Sequence, residues 1–223
     1  MAIEFDFLSV VQEWPLLAKG FLLSLAMIAL SGVLGILLGV IISWAKTLER
    51  PFINFLTSTY IELLRNTPFI VQLFFLFFAL PSLGVKLSPL TASMLAMSIN
   101  LSAYSAEILR AGIESIPSGQ VRAGQSLGMT QHQIFKCIVL PQAFKNTWPA
   151  LVSQVVIVML GSAVCAQIST EELSYAANLI QGRNFRAFEA FFVATLLYLV
   201  MSIFVRFCLD HFISKLIFRG PRG

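Results

Sequence analysis

The sequence contains few charged residues and is rich in apolar ones. Asp, Glu, Lys and Arg make up 12% of the 223 residues and apolar residues 57%, against about 25% and roughly 45–50% in soluble domains. A soluble chain of this length has too little interior to bury so much apolar surface. The composition therefore argues against a soluble enzyme, a disordered chain and a disulfide scaffold, and it predicts a protein that lies in lipid.

Residues that commonly carry catalysis are also scarce. The three cysteines are far apart and lack CxxC spacing, which predicts small buried hydrophobic residues rather than a metal or redox site. The two histidines, His132 and His211, form no H-E-x-x-H motif, and no Ser–His pair lies within an apolar run. An intramembrane enzyme would lack a base. No Gly-Lys dipeptide occurs, so the phosphate loop of ATPases is absent.

The sequence contains several long runs without any charged residue. Five such runs, of 16 to 26 residues, cover 20–45, 66–85, 87–106, 146–170 and 190–205. A membrane helix needs about 20 mainly apolar residues. The runs are continuous rather than alternating, which excludes the strands of a membrane barrel. We therefore predict an all-α integral membrane protein, with five transmembrane helices in a single domain over residues 1–223.

The distribution of basic residues predicts the orientation of these helices. With the N-terminus outside, nine basic residues lie in inside segments and four in outside segments. The inside residues are Lys46, Arg50, Arg110, Arg122, Lys136, Lys145, Lys215, Arg219 and Arg222, and the outside residues are Lys19, Lys86, Arg183 and Arg186. Inside loops carry the basic excess. The net charge of +4 therefore reflects an N-out, C-in topology rather than nucleic-acid binding.

Two spans have unusual features. In the first, Ser31, Gly35 and Gly39 recur every four residues, which allows a helix to approach closely, either within the chain or at a subunit interface. The second is too long for one helix. We predict an inner-surface helix over 51–64, a break at 65–67 capped by Asn66 or Thr67, and a span starting at Pro68. Glu62 and Arg65 are expected to pair on one helix face, unless the segment is a simple interfacial kink with a solvated ion pair.

Polar residues inside the later spans are candidates for a solute path. Asn100, Tyr104 and Glu107 share one face of the third span, and Gln154 and Ser162 lie in the fourth. Glu107 also has a simpler explanation, as a marker of the inner membrane boundary. The outside segment 169–186 is expected to contain a short helix over 172–180, which either contacts a partner or is a solvated loop.

The longest polar segment is the inside loop 110–147, which we predict to form two short helices. Ser118 is expected to cap a helix over 119–127 that ends at Gly128, and Thr130 with Gln133 forms a capping-box pattern that opens the second helix. Pro141 is expected to end that second helix. A capped helix pair on the inner surface is suited to being held by another protein, and Gly119, Ala123 and Gly124 would let it come close.

This loop resembles a known family motif. Residues 119–128 read Gly-Gln-Val-Arg-Ala-Gly-Gln-Ser-Leu-Gly, and residues 138–143 read Ile-Val-Leu-Pro-Gln-Ala. They are similar to the EAA loop of binding-protein-dependent ABC importer permeases, roughly EAA-x3-G-x9-I-x-LP. Segments 60–68, 71–75, 103–113 and 185–189 resemble the polar amino-acid branch of that family. The resemblance extends from about residue 20 to about residue 210.

The sequence departs from the family pattern at two places. The Glu of the motif is Arg122 and its second Ala is Gly124, so a carboxylate is lost from the docking surface while small residues remain. Residues 160–163 read Leu-Gly-Ser-Ala, where many relatives carry a Lys-Asp-Thr-Ser type of segment. The second departure fits either a different substrate or the less selective half of a heterodimer.

The resemblance implies a type I ABC importer permease fold and a function in uptake of polar amino acids. It implies a bacterial inner-membrane protein that works with a second permease, identical or not, with an ATPase dimer and with a solute-binding protein. ATP and magnesium would bind the ATPase, and this chain would hold no cofactor. The residues implied to couple to the ATPase are Gly119, Gln120, Val121, Arg122, Ala123, Gly124, Leu127, Gly128, Leu140 and Pro141. The alternative is an ATP-independent secondary transporter or channel subunit.

Overall fold

The computed structural model describes residues 5–48 and 50–216, and its regular elements in these ranges are all helical. The α-helices are α1 Phe7–Val11, α2 Trp14–Lys46, α3 Pro51–Arg65, α4 Phe69–Phe74, α5 Pro89–Glu114, α6 Ser118–Ser126, α7 Gln131–Ile134, α8 Leu140–Gly161, α9 Leu173–Asn184 and α10 Ala187–Leu216. Phe75–Ala79 and Phe135–Val139 are π-helical, and Leu80–Leu83 and Ser162–Ile168 are 3-10 helical. The all-helical prediction is thus confirmed for the described residues. Arg219 and Arg222, two of the basic residues used to orient the chain, lie outside them.

Within residues 5–48 and 50–216, three helical segments are long and apolar enough to cross a membrane: Trp14–Lys46, Gln131–Ile168 and Ala187–His211. A fourth candidate is the pair Pro51–Arg65 and Phe69–Leu83, which is bent by 108°. The predicted third span lies within α5, which is not among these candidates. Helix α5 packs against α2, α3 and α8 and buries Ser98, Asn100, Ser102 and Ser105. Protein surrounds much of α5, so its sequence does not need the apolarity of a lipid-facing helix.

Small residues bring α2 against α5. A Cβ atom on Gly35 would lie 2.8 Å from Leu101, and one on Gly39 would lie 2.6 Å from Ser105. The Ser43 hydroxyl donates a hydrogen bond to the carbonyl oxygen of Ala106 at 3.0 Å. The stripe predicted in the first span therefore serves packing within the chain.

The predicted break in the second span is present between α3 and α4, but its partners differ from those expected. Pro68 occupies the N-cap position of α4, and no side chain caps that helix. The predicted capping by Asn66 or Thr67 is therefore wrong. Instead, the Gln72 amide reaches back across the break and donates to the carbonyl oxygens of Leu64 at 2.7 Å and Thr67 at 3.1 Å. These bonds satisfy backbone groups that the break would otherwise leave unpaired.

The predicted inner loop is shorter than expected. Helix α5 continues to Glu114, and α7, the π-helical segment and α8 form one helix over Gln131–Ile168. The prediction that Pro141 ends a helix is wrong. The wider turns of the π-helical segment just before it accommodate a residue that has no N–H and a bulky ring. Only α6 and its two short connections form a separate surface element.

The termini of α6 and α7 follow the predicted signals except at one position. Helix α6 begins at Ser118 and has Pro117 at its N-cap, so Ser118 is not the cap. At the other end Gly128 has φ +75°, and its N–H and that of Met129 bond to the carbonyl oxygens of Gln125 and Gly124. This is a Schellman motif. The capping box of Thr130 and Gln133 is confirmed.

The predicted helix after the fourth span is α9, and it is firmly attached to the bundle. Its N-cap Glu172 is fully buried and accepts hydrogen bonds from the Tyr175 N–H at 2.9 Å and the Tyr198 hydroxyl at 2.5 Å. A Cβ atom on Gly20 of α2 would lie 2.9 Å from the backbone of Leu173. The segment is therefore not a solvated loop. Among the cysteines, Cys165 is buried as predicted, whereas Cys137 and Cys208 are exposed.

Candidate functional sites

A cavity of about 550 Å³ opens beside the break between α3 and α4. It lies between this break, α5 and α8, and it has the size of a small-molecule site. Its lining residues are Arg65, Asn66, Thr67, Pro68, Phe69, Asn100, Tyr104, Gln154, Ile157, Val158 and Gly161. The structure thus brings together three of the five residues predicted to form a solute path, Asn100, Tyr104 and Gln154.

Hydrogen bonds and a ring contact hold α5 against the break. The Asn100 side-chain amide, 7% exposed, donates to the Gln72 side-chain oxygen at 3.0 Å. The Tyr104 hydroxyl donates to the backbone carbonyl of Arg65 at 3.5 Å, and the Arg65 guanidinium lies 5.6 Å from the centre of the Tyr104 ring. Gln72 therefore connects both sides of the break to α5. The sequence interpretation assigned Gln72 no role, because its importance depends on the bend.

The predicted pairing of Glu62 with Arg65 is wrong. Glu62 is exposed on α3, while Arg65 lies 3.5 Å from the carboxylate of Glu107 on α5. Glu107 also accepts two hydrogen bonds from Arg110, at 2.7 and 3.2 Å. Glu107 does not line the cavity, although it was predicted to belong to the path. It lies behind Arg65 and fixes the position of that guanidinium.

Ser162 is also absent from the cavity wall, contrary to prediction. It is fully buried, at the start of the 3-10 segment that follows α8. The wall uses Gln154, Ile157, Val158 and Gly161, which recur at three- and four-residue intervals on one face of α8. The next residue in the sequence, Ser162, points about 100° away from Gly161 around a helix. Gly161 lies in the 160–163 segment that departs from the family pattern, but the sequence did not identify it as a wall residue.

The second candidate site is the exposed face of α6, which we call the α6 face. It consists of Gly119, Gln120, Arg122, Ala123 and Leu127, all of which are exposed. Leu127, the C-cap residue directly after α6, has a side chain that is 82% exposed. Val121 is partly buried, and Gly128 lies just after the helix. Leu140 and Pro141 belong to α8 rather than to this surface.

Gly124 does not belong to the α6 face. A Cβ atom on it would lie 3.0 Å from Ile138 and 3.1 Å from Ile134. The expectation that Gly124 lets a partner approach is therefore wrong, because its small size lets α6 approach the rest of its own chain. The Gln142 amide adds a hydrogen bond to the Gln120 side chain at 2.6 Å. Helix α6 is thus attached to the same long helix that lines the cavity.

The fold and these two features define a membrane transport subunit. The chain belongs to the family of binding-protein-dependent transport system inner membrane components, whose family profile matches residues 11–218. It is therefore a permease subunit of an ABC importer, a class in which a separate ATPase subunit hydrolyses ATP. Membership also makes it a multi-pass membrane protein.

Curated relatives cover nearly the whole chain. The arginine transport system permease protein ArtQ of Bacillus subtilis is 31% identical over 92% of this chain and 94% of its own length. The L-cystine transport system permease protein TcyB of the same organism is 32% identical over 96% and 94%. The glutamine transport system permease protein GlnP of Escherichia coli is 30% identical over 93% and 95%.

Solved structures show the same architecture. The crystal structure of an amino acid ABC transporter with histidines matches with a TM-score of 0.85 and 35% identity, over 96% of this chain and 100% of the other. An inward-facing structure of the methionine transporter MetNI matches with a TM-score of 0.74 and 18% identity, over 90% and 95%. The second similarity concerns the fold alone. The type I ABC permease fold is thus established for this chain.

Proposed function

We propose that this chain imports polar amino acids through the cavity beside the α3–α4 break. The observation that carries the proposal is the cavity wall, which gathers guanidinium, amide and hydroxyl groups beside the α3–α4 break. Broken membrane helices that line a cavity are typical solute sites of transporters. The names of the relatives, which refer to arginine, L-cystine and glutamine, support an amino acid as the solute.

The proposed topology has five spans, N-out and C-in, in a bacterial inner membrane. The spans are α2, the bent pair α3–α4, α5, the long helix containing α8, and α10. Two contacts support the proposal that α9 and α6 lie on opposite faces of the membrane. Gly20 packs against the start of α9, and the Trp44 ring lies 5.8 Å from that of His132, next to α6. The helix between Gly20 and Trp44 spans about 36 Å, more than the hydrocarbon core of about 30 Å.

The proposed partners act at both ends of this bundle. A second permease, identical or different, completes the channel, and a solute-binding protein delivers the amino acid on the outside. Two ATPase subunits hold ATP and magnesium and dock on the α6 face, and this chain itself holds no cofactor. The exposed Leu127 supplies an apolar anchor for the ATPase groove.

The fold provides a mechanical route from α6 to the cavity. Gly124 and Gln120 fix α6 to residues 134–142, and that segment belongs to the one helix, Gln131–Ile168, that carries Gln154 and Gly161. Closure of the ATPase dimer on ATP would move α6, and the long helix would transmit this motion to the cavity wall. The ATPase must bind one state of the permease more tightly than the other, because equal affinity shifts no equilibrium.

Uptake of radiolabelled amino acids into proteoliposomes tests this function. The complex of this chain with its ATPase and binding protein should accumulate solute only with ATP. Leu127→Ser should reduce uptake at least tenfold, while the control Leu83→Ser, which changes a 75% exposed leucine away from α6, should not. ATP-independent transport by this chain alone would favour a secondary transporter or channel. Unchanged uptake by Leu127→Ser would contradict docking at the α6 face.

A further inference from the structure

The cavity wall carries positive charge and no negative charge. Of the eleven lining residues in the described part of the chain, Arg65 is the one that is charged at neutral pH, and none is Asp or Glu. The Arg65 side chain is 40% exposed, so its guanidinium is accessible from the cavity side. An ion that enters this cavity therefore meets a cation and neutral polar groups.

The carboxylate nearest to Arg65, that of Glu107, is already paired with arginine side chains. Glu107 accepts two hydrogen bonds from Arg110 and lies 3.5 Å from Arg65. Arg110 is held in turn by Glu114. The two arginines and two glutamates balance each other, so this cluster offers no spare negative charge to a solute. A solute cation would lose its hydration without gaining a counter-ion, which is costly.

The same wall suits a zwitterion with an uncharged side chain. The guanidinium of Arg65 has five N–H donors and holds Glu107 at a distance that is long for a charge-assisted hydrogen bond, which leaves donors for a solute carboxylate. The Tyr104 ring already contacts the Arg65 guanidinium, 5.6 Å from its centre, so the solute ammonium group must bind neutral oxygen acceptors of the wall. The Gln154 amide and the side-chain oxygen of Asn100 supply neutral donors and acceptors for the ammonium group and for a polar side chain. The Thr67 hydroxyl already donates to the Leu63 carbonyl, so it can serve the solute only as an acceptor.

We propose that this cavity selects amino acids with an uncharged polar side chain over those with a cationic side chain. This inference rests on the proposed function, since it assigns the substrate class of the same site. The carboxylate of the solute lies against Arg65, and its side chain lies among the amides of α5 and α8. Selection against arginine and lysine follows from the missing carboxylate rather than from cavity size.

Gly161 offers a direct way to supply that carboxylate. It lines the cavity at the end of α8, and a Cβ atom added to it would meet no atom within 4 Å. Gly161→Asp therefore introduces a negative charge into open space. Gly161→Asn has nearly the same shape without the charge and is the matched control. A charge-assisted hydrogen bond to a solute cation should raise its affinity at least tenfold.

The test measures equilibrium binding of radiolabelled L-glutamine and L-arginine to the purified complex of this chain with its partner permease and ATPase. The solute-binding protein is left out, so that its own selectivity does not decide the result. The unaltered complex should bind L-glutamine at least tenfold more tightly than L-arginine. Gly161→Asp should bind L-arginine at least tenfold more tightly than Gly161→Asn does.

The outcomes separate this inference from the proposed function. Tight L-arginine binding by the unaltered complex would overturn the inference, as would equal L-arginine affinities of the two Gly161 variants or failure of L-glutamine to bind. ATP-driven amino-acid uptake in proteoliposomes would still support the proposed function in those cases. If no amino acid showed ATP-driven uptake, the proposed function would be refuted, and the assigned substrate class would be refuted as well.

Discussion

Replacing Gly39 by alanine should destabilise the protein, although alanine normally favours a helix. The added Cβ atom would lie 2.6 Å from the Ser105 Cβ atom and 3.1 Å from the backbone nitrogen of Ala106. Neither neighbour is the end of a flexible side chain, so α2 must move away from α5. That movement also stretches the hydrogen bond from Ser43 to the Ala106 carbonyl, now 3.0 Å long.

Gly32→Ala is the matched control, because it lies in the same helix and its added Cβ atom would meet no atom within 4 Å. Both variants gain about 1 kcal/mol of helix propensity, and this gain cancels in their comparison. Overpacking costs typically about 1–3 kcal/mol. Gly39→Ala should therefore be less stable than Gly32→Ala by about 1–3 kcal/mol. For a chain of this size, about 2–4 °C per kcal/mol gives a difference in Tm of about 2–12 °C.

The measurement is thermal unfolding of the purified protein in detergent, followed by the fluorescence of its three tryptophans. Gly39→Ala should unfold at the lower temperature, and Gly32→Ala at or above the temperature of the unaltered protein. Equal unfolding temperatures for the two variants would refute the reasoning. They would show that α2 and α5 do not meet at Gly39, and that the small-residue stripe faces a second subunit or lipid.

Two further predictions concern the ends of the bundle. Burial raises the pKa of the Glu172 carboxyl above its ordinary range, so its contribution to stability is present at low pH and is lost as pH rises through that raised pKa. The unfolding stability of the unaltered protein should fall with rising pH in this range, whereas that of Glu172→Gln should not. The same pH dependence in both proteins would assign the loss of stability to another group. Ser82 and Ser126 are both exposed and lie on opposite membrane faces in the proposed topology. In a background without native cysteines, a membrane-impermeant maleimide should label Ser82→Cys from outside. It should label Ser126→Cys only after the membrane is opened. Labelling of Ser126→Cys in intact cells would reverse that topology.

Local signals in the sequence predicted several structural features well. The capping box at Thr130 and the left-handed Gly128 depend on neighbouring backbone groups, so a few residues suffice to specify them. The break before Pro68 follows in the same way from the geometry of proline. The predicted stripe of Gly35 and Gly39 was also found, although the sequence left open whether it packs within the chain or against another subunit.

Contacts between distant segments were predicted less well. Arg65 was assigned to Glu62, three residues away, whereas the 108° bend carries it to Glu107 on another helix. Gly124 was expected to face a partner, but it packs against Ile138 of its own chain. In both cases the relevant neighbour is fixed by the path of the chain through space, which local spacing does not contain.

Apolar run length and backbone hydrogen bonding act over short stretches of chain, so the amino-acid sequence alone specifies a lipid environment, the helical class and the positions of several caps and breaks. Which polar groups share a cavity, and which surface of α6 is free, depends on the three-dimensional fold. The bend at residues 66–68 brings Arg65 to Tyr104, and the unbroken helix Gln131–Ile168 carries Gly161 to the same wall. Such assignments depend on how helices pack, and packing depends on residues far apart in the chain.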